Sequence, residues 1–448
     1  MVFEPPPIEL LPDEPPPDPD RPPIRVVVTD DLERSRLTVA VRWILAIPLF
    51  LWWFVWSFSA FLVGIVNWFA TLITGRSPDG LHDFFVMYIR YSAHVYAYSL
   101  FAANPYPGFM GNKVYPVDVQ VVASRAQSRW KTFFRIFLAF PALVLAGFLV
   151  NFPMPQIGYT TNGQGQEVRF FFVVAGALFG LSFFAWLACL VKGRMPPGFR
   201  DLMAYGIRYA LQAWGYFFLL ADRYPNADPA QPPAVAPEKP RFLRLELEDD
   251  LRRSRLTVFF RFLLFLPHYV WLYLWSLVAY LAMILNWFAT LILGRAPSFL
   301  HRFLTAYLRY RTHVFAYVTL IGNPFPGFTG KGGIYPVDLE IGERERQHRL
   351  KTLFRAFLAI PASCFYLVFW LFLLIVSIFS WFAALVLGRM PQGFRNAGAW
   401  ALRYTAEADA YFYVLTDVYP YSGPWEFAPP LPVPLPLEIE REPGPAFT

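Results

Sequence analysis

An arginine, a proline six residues later, a long apolar run and a closing Gly-Arg-x-Pro occur together four times in this chain. The pattern opens at Arg42/Pro48, Arg135/Pro141, Arg261/Pro267 and Arg355/Pro361, and closes at Gly75-Arg76, Gly193-Arg194, Gly294-Arg295 and Gly388-Arg389. A repeat constrains architecture more than any local pattern, because every copy must fold alike and bury its face against a neighbour. Four units follow, at 24–110, 115–226, 241–329 and 335–421. The first and third align without a gap at an offset of 219, with Arg36-Leu-Thr-Val on Arg255-Leu-Thr-Val and Asn67-Trp-Phe-Ala on Asn286-Trp-Phe-Ala. The second and fourth align at Lys131-Thr and Lys351-Thr and again at Gly-Arg-Met-Pro. Duplication of a two-unit block accounts for this order. Residues 227–240 form a Pro/Ala linker between the halves. Residues 1–23 are an acidic, Pro-rich tail, expected to be disordered and not a cleavable signal peptide, and 422–448 are a second Pro-rich tail.

Charged residues make up 16% of the chain, against about 25% in a soluble domain. From Trp43 to Thr74 there are 32 residues without a charge, where a membrane-spanning helix needs about 20. The run is either a tight hairpin of two short helices or one long helix kinked at Pro48. Two features favour the hairpin, giving about eight crossing or re-entrant segments. The second unit interrupts its run with a polar loop, Asn151 to Arg169, at the place of Phe58 in the first unit. Basic residues also flank both ends of the run, Arg34, Arg36 and Arg42 before it and Arg76 and Arg90 after it, which puts both flanks on the cytoplasmic side.

Each unit opens on a short alternating segment: Ile24-Arg-Val-Val-Val, Val117-Asp-Val-Gln-Val, Leu243-Arg-Leu-Glu-Leu and Val337-Asp-Leu-Glu-Ile. Period-two alternation predicts half-buried strands. Bare strands are not tolerated in lipid, so they are expected to gather into one small cytoplasmic sheet, with Leu437-Glu-Ile-Glu as a possible last strand. After each Gly-Arg-x-Pro comes an aromatic, helical segment with an arginine near its middle, such as 81–101. Burying that charge at a bilayer centre costs at least about 2.5–3.5 kcal/mol, so these segments are expected to be interfacial amphipathic helices in the headgroup plane. The expected fold is a mainly α, polytopic or re-entrant helical membrane protein with both termini cytoplasmic.

The sharpest spacing is Arg, Arg, Asp/Asn at intervals of fourteen: Arg76, Arg90, Asn104; Arg194, Arg208, Asp222; Arg295, Arg309, Asn323; Arg389, Arg403, Asp417. Guanidinium grips phosphate in two-pronged fashion, so the eight arginines are candidate contacts for anionic headgroups or an anionic ligand. The same residues serve equally to cap carbonyls or to pair with carboxylates between helix and loop. Gly-Arg-x-Pro itself suits a helix end followed by a helix start. Trp68, Trp186, Trp287 and Trp381, each seven residues before the glycine, suit helix packing. Asn67 and Asn286 stand inside apolar helices, where they either line a polar cavity or bond a neighbouring helix. Cys189 and Cys364 occupy unrelated repeat positions and form no CxxC pair. The histidines have no metal-ligand spacing, and no catalytic motif is found, so no metal, cofactor or enzyme activity is expected.

The set Arg255-Leu-Thr-Val-Phe-Phe-Arg-Phe-Leu-Leu-Phe-Leu-Pro-His, Trp-Phe-Ala-x-Leu, Gly-Arg-Met-Pro-x-Gly-Phe and Leu-Thr-Asp417-x-Tyr-Pro resembles a bacterial family catalogued as domain of unknown function 4389. The resemblance implies a bacterial plasma-membrane protein and no catalytic residue. The second unit departs by its polar insertion, and the first and third by Asn-Pro in place of Asp-x-Tyr-Pro. The first expectation is a non-enzymatic protein that organises membrane lipid, anionic lipid included, or a cytoplasmic protein partner. Nucleic acid is not expected as a partner. The alternatives are a transporter or channel built from two duplicated halves and, third, an enzyme acting on lipid.

Overall fold

The computed structural model describes residues 23–111, 115–121, 126–151, 154–161, 167–229 and 242–424; most of each tail, most of the 227–240 linker and the possible strand at Leu437 lie outside them. The first unit comprises β1 (Ile24–Val28), α1 (Arg36–Thr74) and α2 (Asp79–Ser99). The second comprises β2 (Val117–Val121), α3 (Arg129–Phe133), α4 (Arg135–Leu149), β3 (Met154–Thr161), β4 (Glu167–Val174), α5 (Ala177–Lys192) and α6 (Pro197–Phe217). The third has β5 (Leu243–Leu247), α7 (Arg255–Phe259), α8 (Arg261–Leu293) and α9 (Ser298–Val318). The fourth has β6 (Val337–Ile341), α10 (Arg349–Leu353), α11 (Arg355–Leu387) and α12 (Gln392–Phe412). Two compact units divide the chain: residues 1–227 with Leu358–Phe379 from the middle of α11, and residues 228–357 with Ser380–Thr448.

The hairpin expectation is corrected. α1, α8 and α11 are each one continuous helix through the apolar run, with Pro48, Pro267 and Pro361 inside them. An all-apolar run has no polar turn that would let its backbone leave the helix without losing hydrogen bonds, so it continues to the glycine before Arg-x-Pro. Gly75, Gly193, Gly294 and Gly388 then sit at φ of 67 to 75°, the left-handed region, and each donates its N–H to the carbonyl four residues back (Gly75 N to Thr71 O, 2.8 Å).

In the second unit the helix is broken, not doubled back. Gly176 N donates to Asn151 O at 2.9 Å, so the chain leaves after α4 and re-enters at α5 at one point. A Cβ on Gly176 would stand well inside contact distance of the Asn151 nitrogen, so no larger residue fits that approach. The segment between, expected as a polar loop, forms an antiparallel pair, β3 with β4, from Met154↔Val174 to Thr161↔Glu167. The two ends of α1 show that α4 and α5 run on in succession beside it. Arg34 N at its start donates to Gly193 O after α5 (2.9 Å), and Gly75 O at its end accepts from Gln127 N before α3 (2.9 Å). The same exchange joins α8 and α11, through Arg253 N to Gly388 O (3.0 Å) and Gln347 N to Gly294 O (2.9 Å). Units therefore pair antiparallel, first with second and third with fourth.

The four predicted strands form at their expected places but not as one sheet. β1 pairs antiparallel with β2, Ile24↔Val121 to Val28↔Val117, and β5 pairs with β6, Leu243↔Ile341 to Leu247↔Val337. Each strand finds its partner within its own pair of units, because the exchange of helix ends already brings the two strand-bearing segments of a pair together.

The interfacial-helix expectation is also corrected. Of the 21 residues in α6, 16 are buried, and so are 16 of the 21 in α12. Only 7 of the 39 residues of α1 are buried. The amphipathic helices are the core, and the long apolar helices are the outside. Small residues along α6 and α12, such as Ala210, Ala213, Ala399 and Ala406, let neighbours approach closely, and α2 packs on α6 as α9 packs on α12. The arginines of these helices are tolerated inside because strands and loops supply acceptors for them.

Layer order follows from the faces of α2. Tyr91 and Ser92 bond α1, through Tyr91 Oη to Leu49 O (3.2 Å) and Trp53 Nε1 to Ser92 Oγ (3.0 Å), and Tyr88 Oη meets Ser57 Oγ at 3.0 Å. Arg90 and His94 point the other way, towards β2. The order is thus long helix, amphipathic helix, two-stranded sheet. The outward side of α1 is a continuous apolar face that includes Ile44, Leu51, Phe58 and Phe69, all exposed.

Candidate functional site

The arginine that opens each repeat is a buried charge held by several acceptors. Arg42, Arg135, Arg261 and Arg355 are 0 to 4% exposed. Each lies in the first turns of its long apolar helix and reaches the end of the amphipathic helix of its own unit. Arg42 donates to Ala103 O (2.9 Å) and Asn104 Oδ1 (3.0 Å), and Arg261 to Tyr317 O (2.6 Å), Gly322 O (3.0 Å) and Asn323 Oδ1 (3.2 Å). Arg135 donates to Ala221 O (3.3 Å), Gln127 Oε1 (2.5 Å) and Asp222 Oδ1 (3.4 Å). Arg355 donates to Thr416 O (3.0 Å), Gln347 Oε1 (2.9 Å) and Asp417 Oδ1 (2.6 Å). Each guanidinium also covers a tyrosine ring, that of Tyr98, Tyr216, Tyr317 or Tyr411, at 4.1 to 4.6 Å.

These clamps collect the carbonyls that a helix C-terminus leaves without partners. The helix ends there on a bulky residue in the left-handed region: Phe101, Leu219, Leu320 and Val414 have φ of 57 to 67°. Glycine is the ordinary choice at such a place, but these four side chains are buried. Their carbonyls are held as well, by Arg34 Nη2 to Phe101 O (2.8 Å), Gln127 Nε2 to Leu219 O (3.1 Å), Arg253 Nη2 to Leu320 O (2.8 Å) and Gln347 Nε2 to Val414 O (2.7 Å).

Of the eight arginines singled out by the spacing of fourteen, four are turned inward. Arg90 Nε lies 3.1 Å from Asp118 Oδ1, and its Nη2 donates to Val119 O (3.2 Å). Arg309 Nε lies 3.2 Å from Asp338 Oδ1, and its Nη2 donates to Leu339 O (3.0 Å). Arg403 donates to Glu407 Oε1 (3.2 Å) and Gly423 O (2.6 Å), and Arg208 is buried over the Tyr205 ring at 5.3 Å. Histidines complete the joint in the odd units. His313 Nε2 is 2.9 Å from Asp338 Oδ1, and His94 Nε2 is 3.6 Å from Asp118 Oδ1. Burial lowers the His94 pKa, outweighing the raising effect of Asp118. Burial works against the charged form of Asp338, yet the hydrogen bonds from His313 and from the Gly333 and Leu339 N–H groups prevail and hold its pKa below the usual carboxylate value.

The other four, Arg76, Arg194, Arg295 and Arg389, are exposed at the ends of the long helices. A second exposed arginine, the first residue of a neighbouring helix, lies against each of those ends. Arg36 Nη2 donates to Val191 O (3.2 Å) two residues before Gly193-Arg194, Arg255 Nη2 to Val386 O (2.9 Å) before Gly388-Arg389, and Arg349 Nη2 to Ile292 O (3.0 Å) before Gly294-Arg295. Arg129 stands beside Gly75-Arg76, its Nε 3.5 Å from where a Gly75 Cβ would be. Positive charge at a helix C-terminus is favourable, and the pairs leave cations facing outward at the margin of the apolar surface.

The tryptophans and asparagines join paired units. Trp68 Nε1 donates to Thr132 O (2.8 Å) and Trp186 Nε1 to Val39 O (3.1 Å); Trp287 Nε1 donates to Thr352 O (2.7 Å) and Trp381 Nε1 to Val258 O (3.0 Å). Asn67 Nδ2 donates to Phe218 O (3.1 Å), and Asn286 Nδ2 to Tyr413 O (2.8 Å) and Val414 O (3.1 Å), each side chain being buried. Among the described residues no group of three His, Cys, Asp or Glu is placed to hold a metal.

The sequence marked Arg42, Arg135, Arg261 and Arg355 as the start of each repeat but assigned them no contact. A signal was present: each lies 62 residues before an Asn or Asp, or 87 where the second unit carries its insertion.

The molecule is thus a helical repeat protein of two antiparallel unit pairs, with three helices among the described residues long and apolar enough to cross a membrane. A family model described as Domain of unknown function (DUF4389) matches residues 36–111, 255–329 and 349–423, and the chain belongs to that family. No curated protein and no solved structure matches it.

Proposed function

We propose that the protein is a non-enzymatic membrane protein whose long helices lie along one leaflet, and that it organises anionic lipid through the exposed arginine pairs. The observation that carries this reading is the height of the β1–β2 sheet. Arg90 and Asp118 join that sheet to α2 beside Tyr88, Tyr91 and Ser92, which bond α1 at Leu49, Trp53 and Ser57, the middle of the helix. If α1 crossed a bilayer end to end, a two-stranded sheet with open edges would lie at the depth of the hydrocarbon, which lipid does not tolerate. Laid along the surface, α1 sinks its outward face into one leaflet. A helix about 10–12 Å across fits within the roughly 15 Å of hydrocarbon that a leaflet offers, and α2, α6 and the sheet remain towards water.

The share of the most apolar 18-residue window that is buried is 11% in α1, 22% in α8 and 28% in α11, so most of that surface needs a cover. The exposed cations Arg76, Arg194, Arg295 and Arg389, with Arg36, Arg129, Arg255 and Arg349, then meet the phosphates of that leaflet.

Spin labels on single cysteines at Ile44, Leu51, Phe58 and Phe69, in a background without Cys189 and Cys364, test the orientation by their depth in liposomes. One common shallow depth is expected. A profile deepest at position 58, with the two ends accessible from opposite sides, refutes it. Replacement of Arg76, Arg194, Arg295 and Arg389 by Gln is expected to reduce co-purifying anionic phospholipid without reducing membrane insertion.

A further inference from the structure

We infer that a cleft in the first pair of units seats one acyl chain of an anionic phospholipid, an inference that rests on the leaflet reading above. The cleft holds about 320 Å³ between α1, the start of α4 and the end of α6. Its mouth is formed by Phe61, Ile65, Phe69 and Ile136, all exposed, and its floor by buried Phe218. At roughly 30 Å³ for each water-sized group, it has room for a chain of about ten methylenes.

Gly64 opens this space. A Cβ there would stand 3.3 Å from two carbons of the Phe218 ring. The repeat supplies the comparison. At the offset of 219, Met283 takes the place of Gly64, while Ile284, Trp287 and Phe288 match Ile65, Trp68 and Phe69. The third unit carries a side chain at the position where the first has none.

Charge identifies the occupant. The cleft ends at Phe69, about one and a half turns from the end of α1. There the exposed Arg76 and Arg129 stand together, and a phosphate on them leaves its chain directed along the apolar wall. The mouth is continuous with the outward face of α1, so a chain enters from the leaflet without crossing water.

The test uses the full chain in liposomes with phosphatidylglycerol carrying a photoactivatable group in its acyl chain, and phosphatidylcholine with the same chain as comparison. Cross-links are mapped by mass spectrometry. With phosphatidylglycerol, residues 61–69 and 217–218 are expected to be labelled several-fold above the matching stretch 280–288, and the choline lipid to lose that preference. Gly64→Met, which copies the third unit, is expected to bring labelling of 61–69 down to the level of 280–288. Met283→Gly is expected to raise labelling of 280–288, so a poorly folding first variant does not end the test.

Equal labelling of the two stretches in the unaltered chain overturns the inference, as do equal yields from the two lipids. Those results leave the leaflet reading standing, because the outward faces are still labelled. Absence of label from the outward faces of α1 and α8 overturns the leaflet reading itself.

Discussion

Removing Arg355 is the most direct probe of what holds a unit together. Its guanidinium supplies bonds to Asp417 Oδ1, Gln347 Oε1 and Thr416 O and lies 4.1 Å over the Tyr411 ring. Hydrogen bonds to a charged group contribute about 1.5–3 kcal/mol each, so three amount to roughly 5–9 kcal/mol before the cost of keeping the cation out of water is returned. That cost is several kcal/mol for a buried ion, and breaking a buried pair by removing one partner typically costs about 3–5 kcal/mol net. Arg355→Met is therefore expected to destabilise the second compact unit by about 3–5 kcal/mol, or ~10 °C at 2–4 °C per kcal/mol for a unit of its size.

Asp417→Asn copies the residue that the first and third units use, Asn104 and Asn323, and keeps an acceptor for the guanidinium. It is expected to cost about 1 kcal/mol. In the double variant the two losses should fall short of their sum, since both remove one contact. The assay is unfolding of the detergent-solubilised protein followed by tryptophan fluorescence. An Arg355→Met variant within about 1 kcal/mol of the parent, or strict additivity with Asp417→Asn, refutes the clamp as the source of the joint's strength.

Trp287→Phe deletes a single bond to Thr352 O and should cost about 1 kcal/mol, read by the same unfolding assay. Gly388→Ala places a Cβ at φ 68° and should cost about 1 kcal/mol, whereas Gly147→Ala, inside α4 with nothing within 4 Å, should stabilise by about 0.5–1 kcal/mol. Denaturation midpoints decide both signs. His94, set among Asp118, Arg90 and Tyr115, has its folded pKa lowered to about 4 from 6.5. The unfolded chain therefore binds the proton first, and stability is lost as pH falls from about 6.5 towards 4, by up to about 3 kcal/mol. His94→Gln, with Gln212 at the matching place in the second unit, should flatten the pH profile of unfolding over that window; an unchanged profile removes His94 as its source.

The repeat made much of this molecule legible in advance. Glycine before Arg-x-Pro marks a left-handed helix end in all four units, and alternation located the four strands that open the units, because both signals are local; it did not locate β3 and β4. Placement failed where the answer depended on another unit. The polar insertion at Asn151 suggested a surface turn in every run, yet only the second unit carries one. The spacing of fourteen drew attention to Arg90, Arg208, Arg309 and Arg403 but could not tell a headgroup contact from a bond to Val119 or Leu339, since the strand that supplies the acceptor lies some 30 residues away.

By itself the sequence determined the four units, their order as a duplicated pair and the apolar character of the long helices, all properties of residue pattern. Tertiary structure alone decided which helices are inside. Apolarity by itself would send the long helices to the core, whereas α2 and α9, each with a central arginine, go there with an acceptor from another unit, Asp118 for Arg90 and Asp338 for Arg309. Pairing of the units supplies those two acceptors, and with them it turns α2 and α9 inward and leaves the apolar helices facing out.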